Sequence, residues 1–473
     1  MSIVQILILV VLAILIGLMR RGRGLVLLGV SALAIYLLQP PSQIFPSQSF
    51  WLPTLTLFIT VIAWAVTAPP DARSLRDNWP ALATLAGAII LAAALDYLPF
   101  TWAASFISPS PIYLAGALVL FCAALAAVAS IRRGERLLLW LTALALLVIF
   151  IFLKSPWLTG QVFAGIALLR GREFDLTAKV TIAWLGYSYI AFRLLHTLRD
   201  RQSGILPAVS LADYVNYVIF FPSFTAGPID RLEHFTANLR APQPLTNDDW
   251  VYAGRRLAIG LFKKFVLADW LVWLSIRDNL VQQVHSAGWL WIFLYAYAFR
   301  IYLDFSGYTD IAIAIARLIG IRLPENFDAP FLKPNLTQFW NSWHITLTQW
   351  FRSYFFNPIT RFLRTSKRAL PIWLILLLAQ LSTMALIGLW HGITWNFLLW
   401  GLWHGVGLFA QNRWSEFVRL RFPNVGASPL AGKLLAGVGV FVTFNYVALG
   451  WLFFVLSTPQ LSAEAFMKLF GIS

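Results

Sequence analysis

The sequence predicts an all-α, polytopic membrane protein, and three observations carry that prediction. Of its 473 residues, 59% are hydrophobic and only 12% are charged, against about 25% charged in an ordinary soluble domain. Apolar runs of about the twenty-residue length that crosses a bilayer as a helix recur from one end of the chain to the other. Basic clusters stand at the ends of those runs, at Arg20–Arg23, Arg132–Arg136, Arg199–Arg201 and Arg364–Arg368. That is the pattern of cytoplasmic loops. The formal charge of +16 is therefore a topology signal, and nucleic acid is not expected as a partner.

The first run, at 3–19, has no basic residue before it and several directly after it. A cleavable signal shows the reverse order, so this run reads as a retained span that starts outside, with Arg20–Arg23 in the cytoplasm. Further spans follow at 25–39, 50–68, 81–99, 111–130, 137–153, 178–198, 207–224, 251–275, 287–304, 306–321, 371–389, 392–411 and 433–457. A shorter apolar segment at 160–169 suits a re-entrant piece. The single cysteine, Cys122, lies inside a run. It makes no internal disulfide and no cysteine metal cluster, and neither a metal site nor a tightly bound cofactor is expected.

The character of the spans changes along the chain. Residues 1–153 are plain Leu, Ala, Val and Ile and read as a peripheral set of helices. From 178 onward, polar and charged residues sit inside or beside the spans. Ionisable groups are costly in a bilayer and mark where function lives, so 178–457 reads as the working core and 458–473 as a C-terminal tail. "RAPQPLTNDDW" (240–250) has the composition of an exposed loop.

Several stretches carry chemistry. In "NLTQFWNSWHITLTQWFRSYFFNPI" (335–359), a continuous helix bounded by Pro334 and Pro358 would put His344, Thr348 and Arg352 on one face. That polar stripe in an aromatic sleeve suits a wet cavity, or else an interfacial helix. In "GLWHGITWNFLLWGLWHG" (388–405), His391 ends a span and Gly392 permits a break. A neutral imidazole there can take a proton near pH 7, although a structural hydrogen bond to a neighbouring helix fits the spacing too. His404, thirteen residues on, points about 140° away on a helix and reads as structural. In 299–330, Ser306, Asp310 and Arg317 fall near one face, and an Asp–Arg pair would explain the buried carboxylates. Lys263 and Lys264, inside a span, must snorkel or face a polar cavity, with topology anchoring the simpler account.

"LGYSYIAFRLLHTLRD", "FPSFTAGPIDR", "GLFKKFVLADWL", "IYLDFSGYTDIAIAIARLIGIRLPENFDAPF", "FWNSWHITLTQWFRSYFFNPI" and the 388–405 string occur in an order that resembles the membrane-bound O-acyltransferases. The likeness is to the bacterial branch of alginate O-acetylation and teichoic acid D-alanyl transfer proteins, and it covers about 184–457. The resemblance implies a ring of tilted helices around a central tunnel, with re-entrant or interfacial helices. It also implies His391 as the catalytic residue and His344 as its usual partner, with Trp343, Thr348, Arg352, Trp390 and Asp310 as lining residues. In that branch an arginine often precedes "WHIT", where this chain has Asn341-Ser342-Trp343.

The function so implied is movement of an acyl group, acetyl first, from a cytoplasmic thioester to a hydroxyl of an exported polysaccharide. Acetyl-CoA or an acyl carrier protein would be the donor. A second, extracytoplasmic acyltransferase, the polysaccharide and membrane lipids would be partners, at the cytoplasmic (inner) membrane. With no "GxSxG" and Cys122 in the plain half, direct transfer is expected rather than an acyl-enzyme. D-alanyl transfer to a teichoic-acid-like polymer is the alternative within the same chemistry. A transporter or flippase without covalent chemistry is the alternative outside it.

Overall fold

The computed structural model describes residues 2–41, 47–95, 108–130, 135–169, 171, 182–241, 244–366, 370–425 and 428–472. Among these, the regular elements are helical, and the one β-type pairing is an isolated bridge between Phe327 and Trp343. Six described helices are long and apolar enough to cross a membrane: Gln48–Thr67, Leu75–Leu95, Pro111–Val128, Arg136–Lys154, Ile372–His391 and Pro429–Val455. Helices suit that solvent because they satisfy their backbone groups internally. The protein is an all-α polytopic membrane protein. Its contacts divide it into two compact units, Met1–Leu257 with Ile311–Pro324, and Ala258–Asp310 with Glu325–Ser473.

In the first unit, buried polar side chains tie neighbouring helices together. Tyr36 and Thr54 share a hydroxyl hydrogen bond at 2.7 Å. The Trp64 indole N–H donates to the Val209 carbonyl at 3.1 Å, and Asn216 Nδ2 donates to the Gly24 carbonyl at 2.8 Å. The run at 207–224 yields only the nine-residue helix Leu211–Ile219, about 14 Å long and too short to span. Leu211, Tyr214, Val215, Val218 and Ile219 are apolar because protein buries them, not because lipid surrounds them. The segment at 160–169 belongs to the helix Pro156–Leu169. Residues 96–99 and 178–181 of two predicted spans, and the basic residues at 132–133 and 367–368, lie outside the described residues.

In the second unit, Ile372–His391 and Trp395–Arg421 form a tight helical hairpin. A Cβ on Gly388 would lie 2.1 Å from the Phe397 carbonyl oxygen, and one on Gly401 would lie 2.3 Å from that of Met384. The two backbones therefore touch where only glycine fits. The Thr394 side chain accepts the Phe397 N–H and starts the second helix. Pro429–Val455 follows, and the stretch read as a tail contains the helix Pro459–Leu469. That helix is docked: Trp291 Nε1 donates to the Leu469 carbonyl and Lys468 Nζ to that of Val281.

Three sequence expectations are corrected here. The runs at 287–304 and 306–321 are one helix, Ala287–Ile319, of 33 residues. The carboxylates of this helix, Asp304 and Asp310, are matched by lysines of a neighbouring helix. Lys263 Nζ meets Asp310 at 2.8 Å and Lys264 Nζ meets Asp304 at 2.5 Å. The arginine of the expected Asp–Arg pairing, Arg317, instead takes Asp249 at 2.7 Å. Nor are the lysines mere topology anchors. A Cβ on Gly307 would lie 2.8 Å from the Gly260 carbonyl oxygen, so the helices meet at backbone distance and each ammonium reaches a carboxylate. The lysines sit on a π-helical stretch, Phe262–Ala268.

Candidate active site

The site grows from the end of Ile372–His391. Pro371 precedes this helix and Gly392 stops it with extended backbone (φ 179°). A Cβ on Gly392 would lie 2.8 Å from the Phe397 ring, so a larger residue could not close this corner. His391 is half-buried. Its ring lies among Trp390 (4.5 Å), Phe454 (4.7 Å), Trp400 (5.3 Å) and Phe397 (5.8 Å).

His344 is placed differently from the helical stripe expected at 335–359. The segment is Leu336–Trp340, a turn, Ile345–Phe351, a π-helical stretch Arg352–Phe356 and then Asn357–Arg364. His344 is the N-cap of the second helix, in the left-handed region at φ 45°. A non-glycine residue there costs about 1–3 kcal/mol and persists only when its surroundings hold it. Here Asn326 holds it. Asn326 Oδ1 accepts the Thr346 N–H (3.2 Å) and hydroxyl (2.9 Å), which fixes it as the oxygen end of the amide. His344 Nδ1, 3.2 Å from the same oxygen, must then carry the proton and donate. Nε2 is left as the acceptor nitrogen. Burial pushes this imidazole down to about 3, so it is neutral at pH 7. Pro358 does not bound the segment either; it lies in the first turn of Asn357–Arg364.

Trp390 joins the two histidines. Its indole meets His344 at 6.2 Å and 67°, and His391 at 4.5 Å and 64°. Trp343 stacks on Phe331 and Phe339 and touches Trp451. Thr348 and Arg352 line a cavity of about 210 Å³ with Trp340, Thr383 and Ile387. Thr383 and Ile387 precede His391 by two turns and one turn of the same helix. Arg352 Nη2 also donates to Asn341 Oδ1 at 2.5 Å. A guanidinium thus stands beside the stretch that lacks the arginine often found before "WHIT". Asp310 is buried in its pair with Lys263 and does not line this cavity. His404 is fully buried between Trp340 and Trp400.

The sequence reading missed Asn326, Phe305 and Phe454. Phe305 packs edge-on against His344 at 4.7 Å. No spacing connects these residues to the histidines. Asn326 sits in a loop eighteen residues before its partner, and only the folded chain brings them together.

The profile of the membrane-bound O-acyltransferase family, MBOAT, matches residues 137–453. A teichoic acid D-alanyltransferase of Streptococcus thermophilus is 32% identical over 285 residues, 57% of this chain and 68% of that protein. A probable alginate O-acetylase of Azotobacter vinelandii is 32% identical over 289 residues, 61% of this chain and 54% of that one. A peptidoglycan O-acetyltransferase of Helicobacter pylori is 31% identical over 268 residues, 55% of this chain and 47% of that one. The match thus spans about half the length of these two acetylating relatives. With a family profile matched over most of the chain, and six described helices long and apolar enough to cross a membrane, the protein belongs to the membrane-bound O-acyltransferase family and is an O-acyltransferase.

Proposed function

We propose that the protein takes a small acyl group, acetyl, from a thioester on the cytoplasmic side and passes it through the membrane to a hydroxyl of an exported polysaccharide. The donor is acetyl-CoA or an acyl carrier protein, the membrane is the cytoplasmic one, and a second, extracytoplasmic acyltransferase is a natural downstream partner. The observation that carries the reading is the His344–Trp390–His391 contact set. One imidazole is half-buried; the other is buried, neutral at pH 7 and held by Asn326 in one tautomer.

In this reading His391 is the general base. It removes the proton of the acceptor hydroxyl as that oxygen attacks the thioester carbonyl. The tetrahedral intermediate collapses, the carbon–sulfur bond breaks, and the thiolate takes the proton back from His391. A positioned base contributes about 10²–10⁴ in rate. Holding donor and acceptor together supplies up to about 7–11 kcal/mol, so placement outweighs the base. His344, whose Nε2 is the acceptor nitrogen, orients a hydroxyl without becoming charged. The aromatic surround of His391 suits an uncharged acetyl group. D-alanyl transfer is the second reading, favoured by the longer share of the Streptococcus thermophilus relative that this chain covers.

The test is His391→Ala in membranes supplied with labelled donor. Transfer falls by at least about a hundredfold while the protein still inserts and purifies. Wild-type transfer in that variant removes His391 from the mechanism. A labelled residue trapped after exposure to donor alone overturns direct transfer. Side-by-side assays with acetyl and D-alanyl thioesters decide between the two acyl groups.

A further inference from the structure

The first compact unit, which contains neither His344 nor His391, holds a cavity of about 270 Å³ lined by Asn238, Asp249, Arg317 and Arg322, with Ala241 and Leu245 as apolar wall. Its charged lining is two guanidinium groups against one carboxylate. That carboxylate is already occupied. Asp249 accepts the Thr246 N–H at 2.9 Å and hydroxyl at 2.8 Å, and pairs with Arg317 at 2.7 Å. The Thr246 backbone N–H, helped by the hydroxyl and by Arg317, holds its carboxyl below the ordinary value. Arg317 is further fixed over the Tyr252 ring at 5.2 Å. Arg322 is exposed and has no ion pair with a described residue. The cavity therefore keeps one uncompensated guanidinium, whose planar fork matches phosphate geometry.

The membrane face can be read as well. The Arg23 guanidinium donates to the Ile319 carbonyl, and a Cβ on Gly17 would collide with the Leu318 carbonyl oxygen. These contacts tie the end of the helix that carries Arg317 to the basic string Arg20–Arg23, which the positive-inside rule puts in the cytoplasm. The cytoplasmic leaflet is also where anionic headgroups attract basic groups.

We propose that this cavity binds a phosphate-bearing anion at the cytoplasmic face, with Arg322 as its principal ligand and the fixed Arg317 as the second positive wall. Two sources share that chemistry: an anionic phospholipid headgroup and a soluble phosphate. The experiment titrates the purified full chain in detergent with inorganic phosphate, and separately with mixed micelles of dioleoyl phosphatidylglycerol against dioleoyl phosphatidylcholine, reading thermal stabilisation. Wild-type protein is stabilised by at least one probe. A response to phosphatidylglycerol alone assigns a lipid site, and a response to inorganic phosphate assigns a soluble one. Arg322→Gln weakens that binding at least about tenfold, as does Leu245→Trp, which fills the cavity from its apolar wall. No stabilisation of wild type by either probe, or wild-type affinity in Arg322→Gln that melts normally without ligand, overturns the proposal.

Discussion

The His344 imidazole and the Trp390 indole meet edge to face, 6.2 Å between centroids and 67° between planes. Trp390 thereby touches both candidate catalytic rings, since it also packs on His391. Trp390→Ala should lose at least about tenfold in transfer rate, beyond the roughly 3–5 kcal/mol of stability that a buried Trp→Ala change costs. Trp390→Phe should keep more of both. Transfer rates normalised to membrane-inserted protein check this, and equal rates for Trp390→Ala and wild type would remove the indole from the site.

Asn326 is the second point of support. Its Oδ1 serves Thr346 twice and His344 once. Asn326→Ala leaves buried donors unmatched, at about 1–3 kcal/mol. It also frees the His344 tautomer, so transfer should fall more than stability accounts for. Thermal melts run beside activity at a temperature well below unfolding separate the two effects.

His344 also predicts a pH dependence. Its folded-state value is near 3, below the unfolded value of about 6.5. A histidine kept neutral by burial binds no proton in the fold, while the unfolded chain binds one as pH falls below about 6.5. Stability from this group is thus fully present above pH 6.5 and declines as pH drops from there toward 3. His344→Gln should flatten that part of the curve. Identical pH–stability profiles for the two proteins would contradict the assignment.

The hairpin behind His391 makes a steric prediction. Gly388→Ala and Gly401→Ala each force a methyl group into a backbone carbonyl, at 2.1 Å and 2.3 Å. Helix against helix, relief requires one backbone to move. Both variants should reduce folded protein and transfer together, whereas Gly437→Ala, where nothing lies within 4 Å, should behave as wild type. Size-exclusion profiles of the three variants suffice to check this.

The lysine pairs can be tested as pairs. Lys263→Met removes the ammonium that neutralises the buried Asp310. Breaking a buried pair costs about 3–5 kcal/mol, lessened here because Lys263 keeps a quarter of its side chain exposed. Lys263→Met with Asp310→Leu should recover most of that loss. A double variant no more stable than the single one would mean that the carboxylate has a further role.

How much of this was legible beforehand depended on which solvent each residue faces. Ile372–His391 was readable as 371–389 because a lipid-facing helix is apolar along its whole length. Leu211–Ile219 was overread as a span because protein-buried residues look the same in sequence as lipid-buried ones. That Ala287–Ile319 is one helix is not legible, because Lys263 and Lys264, some forty residues before its carboxylates, give no sign in the sequence of reaching them. Within the site, His391, His344, Trp390, Thr348 and Arg352 could be singled out from strings and spacing. The helical face drawn through His344 could not survive, since a left-handed residue at the cap resets the phase.

Arg352–Phe356 winds as a π-helix, a winding that an α-helix acquires by taking in an extra amino acid. Deleting one residue there would let the segment relax to ordinary α winding, and everything after it would swing by about 100° around the axis. Arg361 and Arg364, in the last turn of Asn357–Arg364, would then face a different quarter of their surroundings. One codon thus sets the compass bearing of two positive charges.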